Sequence, residues 1–127
     1  MFSWFEKRGN ISWTFTLLIA LTIFYISTIT FPPGKPGGIG LNAILYHILV
    51  FFFFSLFLFI SLVRGRKIRL FAVGTFVAFL YGISDEVHQI FVPGRFFAYA
   101  DIGYDTLGIL YALMFYAISI LYRNKLN

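Results

Sequence analysis

Four long apolar runs divide the chain, and each is bounded by charged residues or by proline and glycine. They cover about residues 13–31, 41–63, 70–92 and 102–122. Crossing the hydrocarbon core of a bilayer takes about 20 mainly apolar residues. The pattern therefore predicts an all-α fold, an integral membrane bundle of four transmembrane helices, with residues 1–127 forming a single domain. Because the links are short, consecutive helices should run antiparallel.

The links differ in their chemistry. Seven of the nine residues from Pro32 to Gly40 are proline or glycine, which predicts a turn after the first run. A basic cluster follows the second run and consists of Arg64, Arg66, Lys67 and Arg69. The first run is longer than the hydrophobic region of a usual signal peptide and no small-x-small cleavage site follows it, so we expect a retained span.

Composition excludes several classes of protein. Apolar residues make up 60% of the chain and charged residues only 12%, about half the charged fraction of soluble domains. A water-soluble domain and an intrinsically disordered chain are both excluded, because so few charges cannot cover a solvated surface. The chain has no cysteine, which excludes disulfides, a thiolate zinc site and a cysteine nucleophile.

The basic residues predict an orientation. Eight of the ten lysines and arginines flank the runs on the side of the two termini and the second loop, whereas the other side has only Lys35 and Arg95. The positive-inside rule then places both termini in the cytoplasm, with the protein in the cell membrane. Topology and attraction to anionic lipids account for the net charge of +5, so no nucleic-acid partner is expected.

The acidic residues gather on the opposite side. Four of the five carboxylates lie near the ends of the third and fourth runs, and polar residues from three of the four spans reach the same depth. This group comprises Asp85, Glu86, Asp101 and Asp105, together with His47, His88 and Gln89. Charged residues within a membrane span are costly, and by default they indicate a functional site.

Helical spacing brings these residues onto common faces. Asp101, Asp105 and Gly108 follow an i, i+4, i+7 pattern, and Asp85 precedes His88 and Gln89 by three and four residues. The four carboxylates, set against Lys35 and Arg95, leave a local net charge of −2. Such a group favours a metal ion, a ligand ammonium group or shared protons.

Three interpretations of this group remain open. Its charges could be structural, in the headgroup region, with Arg95 bridging Glu86 or Asp101. It could hold a divalent metal, the one cofactor that the residues suggest, with Asp85, His88, Asp101 and Asp105 as candidate ligands and His47 completing the set. It could also perform acid–base catalysis, for which the candidate residues are His88, Glu86 and Asp85.

The third and fourth runs resemble the VanZ-like family of small polytopic membrane proteins. The resemblance rests on six features between residues 41 and 115: His47, Glu86, His88-Gln89, the turn from Val92 to Arg95, Asp101 and Gly108. One departure is Asp105, where the family often has asparagine, so this chain must accommodate an additional negative charge. The resemblance implies an envelope role, and the member that gives the family its name is associated with resistance to the glycopeptide teicoplanin.

Three functions follow as hypotheses. The first is an extracytoplasmic polar pocket, framed by His47, Glu86, Gln89, Arg95, Asp101 and Asp105, that binds an envelope component or a glycopeptide. The second is a membrane-embedded, metal-dependent enzyme acting on a lipid-linked substrate. The third is a small proton-coupled transporter, which at this size suits a homo-oligomer. Its acids would lie at one end of the spans, whereas an alternating-access site belongs near the middle of the membrane.

Overall fold

A computed structural model describes residues 2–30 and 40–126, and every regular element within them is a helix. The elements are α1 (Ser3–Lys7), α2 (Gly9–Ser27), α3 (Leu41–Val63), α4 (Leu70–Gln89) and α5 (Tyr99–Leu126). The last four are long and apolar enough to cross a membrane. Within the described residues, this confirms the predicted all-α architecture with four helices of the length and apolarity that a membrane span requires.

Some helix ends differ from the limits of the apolar runs. Helix α2 begins at Gly9, four residues before the apolar run. The hydroxyl groups of Ser12 and Thr16 donate hydrogen bonds to main-chain carbonyls of the same helix. Helix α4 ends at Gln89, since a residue before proline is disfavoured in the helical conformation and Pro93 follows closely. The predicted turn at residues 32–40 lies outside the described residues except for Gly40, and so does Lys35.

Contacts between helix ends give the direction of each helix. His47, near the start of α3, contacts Asp105 near the start of α5, so these two helices run in the same direction. Ser27, at the end of α2, contacts His88 at the end of α4. Near the start of α2, Thr16 contacts Ser61 at the end of α3. Helices α2 and α4 therefore run opposite to α3 and α5, as the short links predict.

Helix α3 lies at the centre of the bundle and packs most extensively against α5. Its Phe51, Phe59 and Ile60 are buried, and they share a core with Tyr116 of α5. Large apolar side chains on the outer faces are exposed, among them Leu21, Phe76 and Ile118. An apolar outer surface of this extent requires a covering, and a bilayer provides one.

Gly108 allows α5 to approach α3 closely. A Cβ atom at this position would overlap the carbonyl oxygen of Ile48 and lie 2.9 Å from the main-chain nitrogen of Phe52. Both are backbone atoms of α3, so a side chain here would force the two helices apart. The gap in side-chain volume predicted at Gly108 is thus occupied by the neighbouring helix.

Candidate functional site

Polar side chains meet at one end of the bundle, where α3 and α5 begin and α4 ends. We call this group the acidic cluster, and its members are His47, Asp85, Glu86, Gln89, Asp101 and Asp105. All are buried except Asp101, whose side chain is 21% exposed. The structure therefore brings together residues from three helices that the sequence placed at one depth.

His47 lies between two carboxylates of α5. Its Nδ1 is 2.8 Å from Oδ1 of Asp105, and its Nε2 is 3.5 Å from Oδ2 of Asp101. Asp101 and Asp105 are one helical turn apart, so both face α3 and approach opposite sides of one ring. Only the protonated imidazole has an N–H group on each nitrogen, and that form matches two carboxylate neighbours.

Gln89 connects the acids of α4 with the link between α4 and α5. Its Nε2 donates to Oδ2 of Asp85 and to Oε1 of Glu86, each at 3.3 Å, and its Oε1 accepts from Nε of Arg95, also at 3.3 Å. Oε2 of Glu86 accepts the main-chain N–H of Ala98 at 2.9 Å. One interpretation of the sequence had Arg95 bridging Glu86 or Asp101, and in the structure Arg95 contacts Gln89, whose amide contacts Asp85 and Glu86.

Within the described residues, His88 forms no direct hydrogen bond or ion pair with this cluster. Its Nδ1 is 3.4 Å from Oγ of Ser27, and its ring stacks on Phe24 with the centroids 4.5 Å apart. Both contacts are to α2, so the structure does not bring the candidate ligand His88 to the carboxylates of α5. Sequence reasoning missed Ser27, which also lies beside Asp85. The sequence offered no distinctive signal, because Ser27 is one of several hydroxyl residues in the first apolar run.

The cluster contains a set of groups suited to a metal ion. One ligand atom from each of His47, Glu86 and Asp105 lies within 4.8 Å of the other two, and all three residues are buried. Oδ2 of Asp105 is buried and has no hydrogen-bond partner within the described residues. Imidazole and carboxylate ligands suit zinc and other first-row divalent metals.

A second polar group, also missed by sequence reasoning, lies at the other end of the bundle. The Tyr116 hydroxyl donates to Oε1 of Glu6 at 2.7 Å and accepts from the main-chain N–H of Gly65 at 3.0 Å. Nη1 of Arg123 contacts Oε2 of Glu6 at 2.8 Å. In the sequence, Glu6 is the one acid on the side of the chain that carries eight basic residues. Only the fold shows that the first and last helices meet at Glu6.

The bundle has four helices that are long and apolar enough to span a membrane, and it buries several acids and a histidine at one end. These are the features of a small multi-pass membrane protein. The chain belongs to the VanZ/LLP1 family, whose family model matches residues 2–121. This match confirms the resemblance and extends it over nearly the whole chain. No curated protein and no solved structure matches the chain.

Proposed function

We propose that this protein lies in the cell membrane with its acidic cluster near the outer face, where it binds a cationic group of an envelope component or of a glycopeptide such as teicoplanin. The observation that carries the proposal is the charge balance of the cluster. The imidazole of His47 contacts Asp101 and Asp105. The guanidinium of Arg95 contacts Gln89, whose amide contacts Asp85 and Glu86. Counted among the described residues, with all four carboxylates ionised and His47 protonated, the cluster and Arg95 carry a net charge of −2.

A ligand ammonium group would correct this imbalance. Oδ2 of Asp105 is buried without a hydrogen-bond donor within the described residues, and a buried carboxylate oxygen left unpaired is costly. An ammonium group supplies three N–H donors and one positive charge. The acidic cluster would therefore favour cations over neutral or anionic ligands.

The approach to the cluster lies at the end of the helices. Asp101 is its most exposed acid. Phe91 and Phe96 in the link between α4 and α5 are exposed, and so is Tyr99 at the start of α5. Aromatic side chains are enriched where a membrane meets water. This arrangement supports a ligand that arrives at the membrane surface, such as an amphipathic envelope component.

The orientation can be tested by cysteine labelling, because the chain has no cysteine of its own. We expect Phe97→Cys, in the link beside the acidic cluster, to react with a membrane-impermeant maleimide in intact cells. Ser3→Cys, an exposed position at the opposite end, is the matched control and should react only after permeabilisation. The reverse pattern would place the acidic cluster in the cytoplasm and contradict an external binding site.

A second candidate function rests on the set formed by His47, Glu86 and Asp105. These residues would hold a divalent metal in a membrane-embedded enzyme, and the metal would polarise a bond of a lipid-linked substrate. The observation that supports this alternative is that one ligand atom from each of the three side chains lies within 4.8 Å of the other two.

Ligand-induced stabilisation separates the two candidates. A ligand that binds only the folded state at 100 times its Kd stabilises that state by about 2.7 kcal/mol. We expect teicoplanin to raise the melting temperature of the purified protein in detergent, and zinc and manganese ions to leave it unchanged. Asp101→Asn should weaken the teicoplanin effect, whereas Ser84→Ala, an exposed control position on α4, should retain it.

The opposite result would favour the enzyme. If zinc or manganese raised the melting temperature, and Glu86→Gln abolished that effect, the cluster would be a metal site. If teicoplanin stabilised the wild type and Asp101→Asn equally, the glycopeptide would bind elsewhere on the protein.

A further inference from the structure

A basic cavity lies at the end of the bundle opposite the acidic cluster. Its volume is 680 Å³, within the usual size range of small-molecule sites. It is enclosed by α1, the turn between α3 and α4, and the last turn of α5. Five of its ten lining residues are basic: Lys7, Arg64, Arg66, Lys67 and Arg123.

The one acid in the cavity wall is already engaged. Glu6 forms an ion pair with Arg123 at 2.8 Å and accepts a hydrogen bond from Tyr116 at 2.7 Å. Within the described residues, no ion pair involves Lys7, Arg64, Arg66 or Lys67. In the part of the chain that the structure describes, four positive charges therefore line the cavity without a carboxylate paired to them.

Arg64 is held in place at the cavity wall. Its backbone is left-handed, with φ of 50°, a conformation that is uncommon for residues other than glycine. Its Nε donates to the carbonyl oxygen of Ser61 at 3.3 Å, and its guanidinium packs against Gly9, where a Cβ atom would overlap it. This arginine is therefore positioned before any ligand binds, and strained backbone of this kind often occurs at ligand sites.

We propose that this cavity binds a phosphate group, either from the headgroup of an anionic phospholipid or from a soluble phosphate compound. Guanidinium groups match the geometry of phosphate oxygens, and basic pockets at membrane surfaces bind lipid headgroups. The neighbouring Trp4 is half exposed and lies under the guanidinium of Arg8, 4.7 Å from ring centroid to Cζ. Tryptophan is typical of the membrane–water interface, so the cavity lies at the depth of lipid phosphates.

The test compares two variants that lose the same charge at the same end of the bundle. Arg66→Gln/Lys67→Gln removes two cations from the cavity wall, and Arg69→Gln/Lys125→Gln removes two that do not line it. All four side chains are exposed, so both variants should fold. Native mass spectrometry of the full chain in detergent would measure binding of phosphatidylglycerol, with phosphatidylcholine as the neutral reference and inorganic phosphate as the soluble probe.

We expect the wild type and the Arg69/Lys125 variant to retain one phosphatidylglycerol in preference to phosphatidylcholine, and the Arg66/Lys67 variant to lose roughly tenfold in this retention. Binding of inorganic phosphate without lipid, weakened by the same variant alone, would also support the site and assign it to soluble compounds. Equal losses in the two variants would show general surface attraction and overturn the proposal. Absence of binding by both probes would overturn it too.

Discussion

Replacing His47 with leucine is expected to lower the free energy of unfolding by about 3–5 kcal/mol, the usual cost of removing one partner from a buried ion pair. The imidazole lies between Asp101 and Asp105, and without it the buried carboxylate of Asp105 has no positive neighbour within hydrogen-bond distance in the described residues. Unfolding of the purified protein in mixed micelles would measure the loss.

His88→Leu is the matched control, because it removes the same side chain from the same end of the bundle. His88 has a long contact with Ser27 and a stacked ring, and no carboxylate lies within ion-pair distance of it among the described residues. We expect its loss to cost less than about 1 kcal/mol. Equal losses at His47 and His88 would contradict the pairing seen in the structure.

A double-mutant cycle would isolate the interaction itself. His47→Leu/Asp105→Leu removes both partners, so we expect the double variant to be destabilised by less than the sum of the two single variants. Strict additivity would show that His47 and Asp105 act independently.

Substituting alanine for Gly108 is the second change with a large expected effect. The new methyl group would overlap the backbone of α3 at Ile48, and overpacking of this kind costs about 1–3 kcal/mol. Because Ile48 follows His47 directly, displacing α3 from α5 would also lengthen the contact between His47 and Asp105. Thermal unfolding would report the loss of stability, and weaker ligand stabilisation would report the displaced site.

Gly103→Ala provides the control on the same helix. A Cβ atom at Gly103 would meet no atom of residues 2–30 or 40–126 within 4 Å, so the substitution should gain helix propensity at no steric cost. We expect it to be neutral or to stabilise the protein by about 0.5–1 kcal/mol. Destabilisation by both substitutions would argue against close packing at Gly108 as the cause.

The fold was predictable because its signal is local. Each span is an uninterrupted apolar run, and α3, from Leu41 to Val63, coincides with the second run at both ends. The short helix α1 was not predicted, because five residues carry too little periodicity. Helix ends such as Gly9 were missed because hydropathy marks the hydrocarbon boundary, whereas a helix continues through polar residues that satisfy their own hydrogen bonds.

The site was predictable only in part. Asp101 and Asp105 share a helical face, and their joint approach to α3 follows from spacing. Spacing does not show which histidine these two aspartates contact, because His47 and His88 were both candidates. The packing of α3 against α5 brings His47 to them. Tertiary packing also brings Arg95 to Gln89. It likewise brings Glu6 to Arg123, a residue 117 positions away along the chain.

The contact between Glu6 and Arg123 has a consequence for how the protein acquires its sidedness. It holds the first and last helices together at one end of the bundle. Contacts of this kind form within the bundle, and they would be the same whichever way the chain entered the bilayer. Packing alone therefore does not distinguish the two insertions. The choice is left to the distribution of loop charge, and moving a few lysines or arginines between the two ends would invert the protein while leaving its interior intact.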